Sequence, residues 1–264
     1  MRMTDLRDRF RALHESGTFL LPNPWDTGSA RLLESLGFAA LATTSSGLAA
    51  TLGKQDQQVT ADELVAHVAA LTGAVGVPLN VDAERCFDDI TATVDALAGA
   101  GASGISIEDY DPAAGAVEPL ETAAARVATA AGACARHGIV LTARAENHLY
   151  GHADLDDTIT RLRAYRAAGA DVLYAPGLRD PADIARVVAA VDGAPVNVLA
   201  VGGAPAVPEL AALGVRRVST GGALAWAAYG AARDAALELL GPGTTTFRER
   251  SLTGAEIDSA FGRD

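Results

Sequence analysis

The sequence is poor in aromatic residues, in cysteines and in uninterrupted apolar stretches. Aromatic side chains make up 5% of its 264 residues, so the core must be packed by close helix–strand contacts of Ala, Val and Leu. Two cysteines, Cys86 and Cys134, are too few for a disulfide framework, which a chain of this length does not need. No apolar run approaches the roughly 18 residues of a membrane span, and residues 1–11 lack an apolar centre. These absences predict a cytoplasmic globular protein that has no membrane partner.

Basic charge is scarce as well. Lys and Arg number 21 against 33 Asp and Glu, which gives a net charge of −12. Nucleic-acid binding needs clustered Lys and Arg to neutralise phosphates, so we expect no nucleic-acid partner. The same balance disfavours an anionic membrane surface. Small anions can still bind locally, through a metal ion, an arginine or backbone N–H groups.

Short β-branched runs alternate with Ala-rich amphipathic stretches along the chain. The apolar runs predict eight strands, at residues 19–21, 41–43, 79–81, 105–107, 140–142, 172–174, 196–198 and 217–219. The stretches between them predict helices at 29–35, 60–74, 88–100, 119–136, 154–168, 180–191 and 206–213. Eight such units favour a closed (β/α)₈ TIM barrel, which takes roughly 250 residues. An open doubly wound sheet is the alternative, but no Gly-rich nucleotide loop follows a strand.

Glycines mark the ends of several predicted helices. A helix ends in glycine and a strand follows at Gly37, Gly101, Gly138, Gly169 and Gly214. Glycine supplies the left-handed residue that ends a helix and redirects the chain. After the eighth strand, residues 221–240 predict one long helix, and a short helical piece lies near 253–261. No linker-like segment intervenes, so the sequence predicts one barrel domain over 1–264 with a C-terminal helical extension from about 221.

Acidic residues collect where two neighbouring strands of the predicted barrel end, which is where barrel enzymes carry their sites. Asp82 and Glu84 follow the third strand, and because alternate residues share a side they can point the same way. Glu108 ends the fourth strand at a similar height. Three carboxylates this close repel one another unless they share a cation, and such oxygen ligands suit Mg²⁺. The residues therefore predict a Mg²⁺ site; the alternative is that each acid caps the following helix.

Other strand ends offer groups that bind anions. Arg144 ends the fifth strand, where a guanidinium either pairs with the acids or anchors a substrate carboxylate. The turn at 45–48 can present backbone N–H groups to an anion. The glycine pairs 202–203 and 221–222 leave open a phosphate-binding barrel. His148 lies in a loop within reach of the site, whereas three histidines in helical patterns are expected at the surface: His14, His67 and His137.

Six motifs follow one another in a characteristic order: PNPWDxxSA at 22–30, TSSGLA at 44–49, GxxD at 53–56, DxE at 82–84, IED at 107–109 and TAR at 142–144. In these motifs the chain resembles the isocitrate lyase/phosphoenolpyruvate mutase superfamily, from residue 21 to about 222. The resemblance implies a Mg²⁺-dependent lyase acting on a small 2-oxo or 2-hydroxy (di)carboxylate or phosphonate analogue. C–C or P–C cleavage, including decarboxylation, would give an enolate that the metal stabilises. Mn²⁺ is the alternative ion.

The resemblance also implies a role for each matched residue. The metal ligands, some acting through water, would be Asp82, Glu84 and Glu108. Residues that hold the substrate carboxylate or wall the pocket would be Trp25, Ser46, Gly47 and Leu48. Asp56 beside the metal's water shell and Arg144, which also binds substrate, would take part in catalysis. The family further implies a homo-oligomer, either a tetramer or a dimer, in which subunits exchange the helix at 221–240.

One part of the family pattern is missing. Lyase members carry a Lys-Lys-Cys-Gly-His or Lys-Arg-Cys-Gly-His flap whose cysteine is the acid/base group, but residues 110–120 contain no Cys, His or Lys. The lysine expected of mutase and phosphonopyruvate hydrolase members is absent too. Cys86 stands where many relatives have glycine; we expect it to be a packing residue, although its thiol is near the site. A non-catalytic or regulatory metal–carboxylate binding protein on the same fold is therefore the alternative function.

Overall fold

The computed structural model describes residues 3–262. Its strands are, in chain order, β1 (Phe19–Leu21), β2 (Leu41–Ala42), β3 (Leu79–Asp82), β4 (Gly104–Glu108), β5 (Tyr110–Asp111), β6 (Ala116–Val117), β7 (Val140–Arg144), β8 (Val172–Tyr174), β9 (Val196–Leu199) and β10 (Arg217–Ser219). Eight of them pair in parallel in the order β1-β10-β9-β8-β7-β4-β3-β2. A hydrogen bond from Ala42 N to Pro22 O (3.0 Å) links the two end strands. The predicted TIM barrel and its eight strands are confirmed, and β5–β6 is a separate hairpin.

The helices surround this barrel. They are α1 (Met3–Leu13), α2 (Thr27–Ser35), α3 (Ser45–Thr51), α4 (Ala61–Thr72), α5 (Ile90–Gly99), α6 (Leu120–His137), α7 (Leu155–Ala167), α8 (Pro181–Ala190), α9 (Val207–Ala212), α10 (Ala223–Leu240) and α11 (Gly254–Phe261), with a 3₁₀ turn at Thr246–Arg250. Of these helices, α1 was not among the predicted ranges, although His14 was placed in a helical pattern, and the start of α3 was predicted to be a turn. Within residues 3–262, no helix is long and apolar enough to span a membrane.

Local sequence signals fix several helix ends. Thr60 and Glu63 form a capping box at the start of α4, in which each side chain bonds the other's backbone N–H. Asp180 caps α8 and Pro181 occupies its first position. The five glycines predicted to end helices all have positive φ, from 67° at Gly138 to 105° at Gly169. The capping residues and glycines that predicted these helix ends from the sequence are therefore found at helix ends in the structure.

Helix α1 closes the N-terminal end of the barrel. The buried ring of Phe10 meets the rings of His14 and Phe19 edge-on, at centroid distances of 4.8 and 6.4 Å. His14 is only 8% exposed, and its Nδ1 lies 2.8 Å from Phe10 O. The prediction that His14 lies at the surface is wrong, because this face of a mostly charged helix turns into the barrel. Burial, reinforced by the positive charge of Arg217, lowers the pKa of His14 to about 3.

The last barrel helix, α10, packs loosely on its own barrel. Ala225 is its one buried residue, whereas Trp226 is 55% and Leu240 is 84% exposed. Leu20 of β1 is also 40% exposed, although a barrel strand is normally covered on its outer side by a helix. An apolar helix surface and an incompletely covered strand are thus both open in the isolated chain.

Candidate active site

A cavity of about 180 Å³ opens at the C-terminal ends of the barrel strands. Among the residues predicted for the site, those lining it are Ser46, Asp56, Asp82 and Arg144. The remaining predicted residues lie outside this lining: Trp25, Gly47, Leu48, Glu84 and Glu108. The fold has therefore brought residues from β2–α3, β3 and β7 to one place, as barrel geometry requires.

Arg144 contacts three carboxylates at this end of the barrel. Its Nη1 lies 2.8 Å from Asp82 Oδ1, its Nη2 3.1 Å from Glu108 Oε2 and its Nε 2.8 Å from Glu146 Oε1. Burial alone would lower the pKa of Arg144, but these carboxylates raise it well above its ordinary value. Its guanidinium carbon also lies 5.4 Å from the centre of the Tyr174 ring. The arginine is held as a permanent cation in a fixed orientation.

The carboxyl groups around Arg144 carry more negative charge than one guanidinium can balance. Burial, followed by repulsion from Asp82 and Asp56, raises the pKa of Glu84 to about 8. Burial also raises the pKa of Glu108 and of Glu146, and Arg144 opposes the rise in both. Such shifts indicate carboxylates that ionise fully only when further positive charge arrives.

The residues present fit a hydrated divalent cation. Glu84 Oε1 is buried without a hydrogen-bond partner, and the donor set consists of oxygen atoms, which Mg²⁺ prefers. Across residues 3–262, no three His, Cys, Asp or Glu side chains converge closely enough to form a metal cage as they stand. Mg²⁺ characteristically uses one or two carboxylates and keeps several waters. Ligation by Asp82, with Glu84 and Glu108 reached through water, agrees with both observations.

The backbone around these acids is constrained. Glu84, Cys86 and Phe87 all have left-handed φ angles, of 50°, 67° and 54°, and Gln57 has one of 65°. Non-glycine residues in this region cost about 1–3 kcal/mol each and persist only where the surroundings impose them. Gln57 Nε2 donates to Glu108 Oε1 at 3.0 Å. The segments with left-handed backbone therefore carry Glu84, a member of the acidic cluster, and Gln57, which bonds Glu108.

The predicted anion turn is the first turn of helix α3. Thr44 caps it, with Oγ1 accepting from Gly47 N at 3.4 Å, and Ser45 N donates to Asp82 Oδ2 at 3.0 Å. Amides in a first helical turn have no partner inside the helix and favour anions. Within residues 3–262 the amide of Ser46, which borders the cavity, has no hydrogen-bond acceptor, while that of Leu48 is bonded within the helix to Thr44 O.

Trp25 lies behind this turn and does not line the cavity. A Cβ added at Gly47 would lie 2.9 Å from Trp25 Cβ and 2.5 Å from Thr44 Cγ2. Only glycine fits this contact, so Trp25 and Gly47 set the position of α3 by packing. Their assigned substrate contacts stay predictions.

The divergent flap is the β5–β6 hairpin. Its base is fixed by Glu118, which accepts from Arg126 Nη2 at 2.8 Å and from Arg85. At its start the Tyr110 ring stacks on Tyr150 of the loop after β7, with centroids 3.6 Å apart. The hairpin is therefore anchored from two sides without the cysteine of the lyase flap.

Three residues of the candidate site were not predicted from the sequence. Glu146 is fully buried and takes the third position on Arg144, and Tyr174 and Arg217 line the cavity. Glu146 was visible as an acid two residues after Arg144, the spacing that puts side chains on one face of a strand. Nothing local to the sequence marked Arg217, because its partners come from other strands and from His14, the residue after α1.

The structure also bears on three further residues named in the sequence analysis: Gly221, Cys86 and His148. Gly221 N donates to Asn23 Oδ1 at 2.9 Å, so the turn after β10 gives that amide to the protein and not to a phosphate. Cys86 is buried, and burial raises the pKa of its thiol to about 12. Its packing position agrees with the prediction. His148 is half-buried, and its Nε2 has no hydrogen-bond partner within the described chain.

The chain is similar to proteins of one superfamily. The family model described as phosphoenolpyruvate phosphomutase matches residues 10–240. A Burkholderia cenocepacia J2315 protein solved as a candidate lyase/mutase is 47% identical, with a TM-score of 0.94 over 99% of this chain and 97% of that one. Oxaloacetate decarboxylase of Bradyrhizobium diazoefficiens is 29% identical over 100% of this chain and 95% of its own. Oxaloacetate acetylhydrolase, solved with its product oxalate, is 25% identical, with a TM-score of 0.86 over 96% and 93%.

The match spans most of the barrel, and the same motifs supply the residues around Arg144. Both the family model and the near-complete structural overlap point to one assignment. The chain belongs to the phosphoenolpyruvate phosphomutase family, within the isocitrate lyase/phosphoenolpyruvate mutase superfamily, and it is an enzyme of the lyase and mutase class.

Proposed function

We propose that the enzyme is a Mg²⁺-dependent lyase that cleaves the C–C bond of a small 2-oxo dicarboxylate, with decarboxylation as the favoured reaction. The observation that carries the proposal is the cluster of Asp82, Glu84 and Glu108 around Arg144, with more carboxylates than its one cation balances. Similarity to oxaloacetate decarboxylase and oxaloacetate acetylhydrolase supports a substrate of this class. Mn²⁺ is expected to replace Mg²⁺, because it takes the same oxygen ligands.

Each group has a task in this reaction. Mg²⁺ held by Asp82, with Glu84 and Glu108 behind its waters, would supply positive charge next to the substrate's carboxylate and keto oxygens. The free amide of Ser46 would orient the carboxylate. Arg144 would offset negative charge as the cleaved bond's electrons move onto the keto oxygen. Asp56, an exposed residue that borders the cavity and whose pKa is raised by partial desolvation and by Asp82, would hold the surrounding water.

The composition of the hairpin favours decarboxylation over aldol-type cleavage. Cleavage of a 2-hydroxy acid needs a base to take the hydroxyl proton, and residues 110–120 offer no Cys, His or Lys for that step. Loss of CO₂ from a 2-oxo-3-carboxylate needs only an electron sink, and water can protonate the resulting enolate. The absence of these groups from residues 110–120 is thus compatible with decarboxylation.

The test is a screen of 2-oxo and 2-hydroxy acids with and without Mg²⁺, starting with oxaloacetate. Asp82→Asn with Glu108→Gln should abolish Mg²⁺ binding measured by calorimetry and reduce kcat/KM by on the order of 10²-fold or more. Asp95→Asn, at an exposed carboxylate paired with Arg136, serves as the control. Unchanged Mg²⁺ affinity and turnover in the double variant would refute the assignment. Binding of oxalate without turnover of any acid would instead indicate the regulatory binder.

We also propose that the enzyme is a homo-oligomer, a tetramer or a dimer, that exchanges α10 between subunits. The exposed apolar residues of α10 and the incompletely covered Leu20 of β1 support this arrangement. Burying such surface contributes about 25 cal/mol per Å². Helix α10 of a neighbouring subunit would cover the part of β1, including Leu20, that the chain's own helices leave exposed.

A further inference from the structure

Arg217 of β10 is buried inside the barrel without a counter-charge. It is 1% exposed, and its guanidinium donates to Asn197 Oδ1 at 2.8 Å and to Thr142 Oγ1 at 2.9 Å. Its Nη1 lies 3.4 Å from His14 Nε2. No carboxylate of residues 3–262 forms an ion pair with it. Burying an unpaired charge is expensive, so the position calls for an anion.

Its hydrogen bonds satisfy only part of the guanidinium. Arginine carries five N–H donors, and the described contacts engage one on Nε, one on Nη1 and one on Nη2. All three partners are neutral groups, including His14, whose pKa of about 3 keeps it uncharged near neutral pH. Two donors and the full positive charge therefore remain for a ligand.

Arg217 lines the same cavity as Asp82 and Arg144. It contacts Thr142, which precedes Arg144 by two residues on the inward side of β7. Two residues of a strand rise about 6.5 Å, so the guanidinium lies roughly one side-chain layer below the metal-binding end. The cavity walls also include the apolar Leu21 and Ala42, which suit methylene groups.

The rings of Phe10, His14 and Phe19 pack against one another at the N-terminal end of the barrel, on the side of Arg217 where its Nη1 meets His14. On its other side Arg217 lines the cavity that Asp82 and Arg144 also line, so an anion in this cavity can reach its guanidinium. A single molecule with an anionic group at each end can then occupy both the guanidinium of Arg217 and the mouth of the cavity.

We propose that Arg217 binds the distal carboxylate of a dicarboxylic 2-oxo acid whose 2-oxo end is held at Asp82 and Arg144. This assignment rests on the proposed function and adds a length requirement. Thr142, which Arg217 contacts, and Arg144 are separated by one strand layer of about 6.5 Å, and a span of this order suits a four- or five-carbon diacid better than a two-carbon one. Arg217 would thereby select diacids over monoacids of the same length. Where the distal carboxylate is the one lost as CO₂, this pairing strengthens substrate binding and does not accelerate the bond cleavage, so Arg217 acts on selectivity and not on kcat.

The experiment compares two ligands that differ only at the far end. Binding of 2-oxoglutarate and of 2-oxovalerate, in which a methyl group replaces the distal carboxylate, is measured by calorimetry with Mg²⁺. Wild-type enzyme should prefer the diacid by on the order of 10- to 100-fold, the usual effect of a hydrogen-bonded charge pair. Arg217→Met should reduce the ratio to near one. Arg216→Met, at the neighbouring arginine that bonds Gly17 O, should leave it unchanged.

Oxalate separates failure of this inference from failure of the proposed function. It is too short to reach Arg217, so its Mg²⁺-dependent affinity should stay within about threefold in Arg217→Met. Equal affinities for the two keto acids in wild-type enzyme that binds oxalate would overturn the role of Arg217 alone, even if the variant does not fold. Absence of Mg²⁺-dependent oxalate binding to the wild type would overturn the proposed function itself.

Discussion

At the scale of single residues, Arg144 connects the carboxylates of the candidate site. One guanidinium contacts Asp82, Glu108 and Glu146 at 2.8 to 3.1 Å. Truncating it would leave the buried Glu108 and Glu146 and the half-buried Asp82 without a cation, so Arg144→Ala would damage both folding and activity. Milder substitutions around it are therefore more informative.

Cys86 offers such a test. Its thiol is buried and burial raises its pKa to about 12, so it is neither ionised nor accessible near neutral pH. Cys86→Ala should keep kcat/KM within about threefold, and the folded wild type should survive treatment with iodoacetamide. Rapid inactivation by iodoacetamide, prevented by bound oxalate, would show instead that a thiol takes part in catalysis.

His14 should make the protein sensitive to acid. Its folded-state pKa of about 3 lies below the ordinary 6.5, as a result of burial and the charges of Arg217, Arg11 and Arg216. Between these two values the unfolded chain binds the proton more readily, so the free energy of unfolding falls as the pH drops from 6.5 towards 3. The contribution is about 3 kcal/mol at pH 4.

The measurement is urea unfolding of wild type and His14→Gln between pH 4 and 7. The variant should be less stable at pH 7, where it loses packing, and the gap should close by about 3 kcal/mol towards pH 4. Carboxylates that titrate in the same range are common to both proteins and cancel. Parallel stability curves would show that His14 stays solvated and titrates normally.

At the scale of elements, the β5–β6 hairpin is anchored through Glu118. Glu118 is 5% exposed and accepts from both Arg85 and Arg126. Removing it leaves two partly buried guanidinium groups without this partner, so Glu118→Ala should cost about 3 kcal/mol of unfolding free energy. Hydrogen exchange at residues 110–118 should rise with it.

Asp111 provides the matched control for Glu118. It pairs with the same Arg85 at 3.1 Å, but both side chains are about one quarter exposed. Asp111→Asn should therefore cost less than about 1 kcal/mol and leave the hairpin protected. Equal losses in the two variants would mean that burial of Glu118 adds nothing to the anchor.

At the scale of the whole molecule, the exposure of α10 predicts assembly. Leu237→Asp with Leu240→Asp, both at positions more than half exposed in the single chain, should shift the mass measured by light scattering towards monomer. Charged groups are costly in a covered apolar interface. Arg233→Ser on the same helix, where the arginine pairs with Asp234, should leave the mass unchanged. A monomeric wild type would refute helix exchange.

The barrel was determined by local features of the sequence. Strands follow from short β-branched runs, helices from amphipathic stretches, and their ends from residues such as Thr60, Asp180 and Gly138, each acting within a few positions. The acidic cluster was predictable for the same reason, because the ends of neighbouring parallel strands meet at one edge. Position in the chain was sufficient to place Asp82 next to Glu108 and Arg144.

Contacts between distant segments were decided only by the tertiary structure. The buried Arg217 contacts Thr142, Asn197 and His14, which lie 20 to 203 residues away in the sequence. No local sequence pattern predicts these contacts. The turn at 45–48 became a helix because Thr44 could cap it and Trp25 packs on Gly47. Sequence periodicity reports which face of an element is apolar. Whether a buried charge finds a counter-ion depends on which elements the closed barrel brings together.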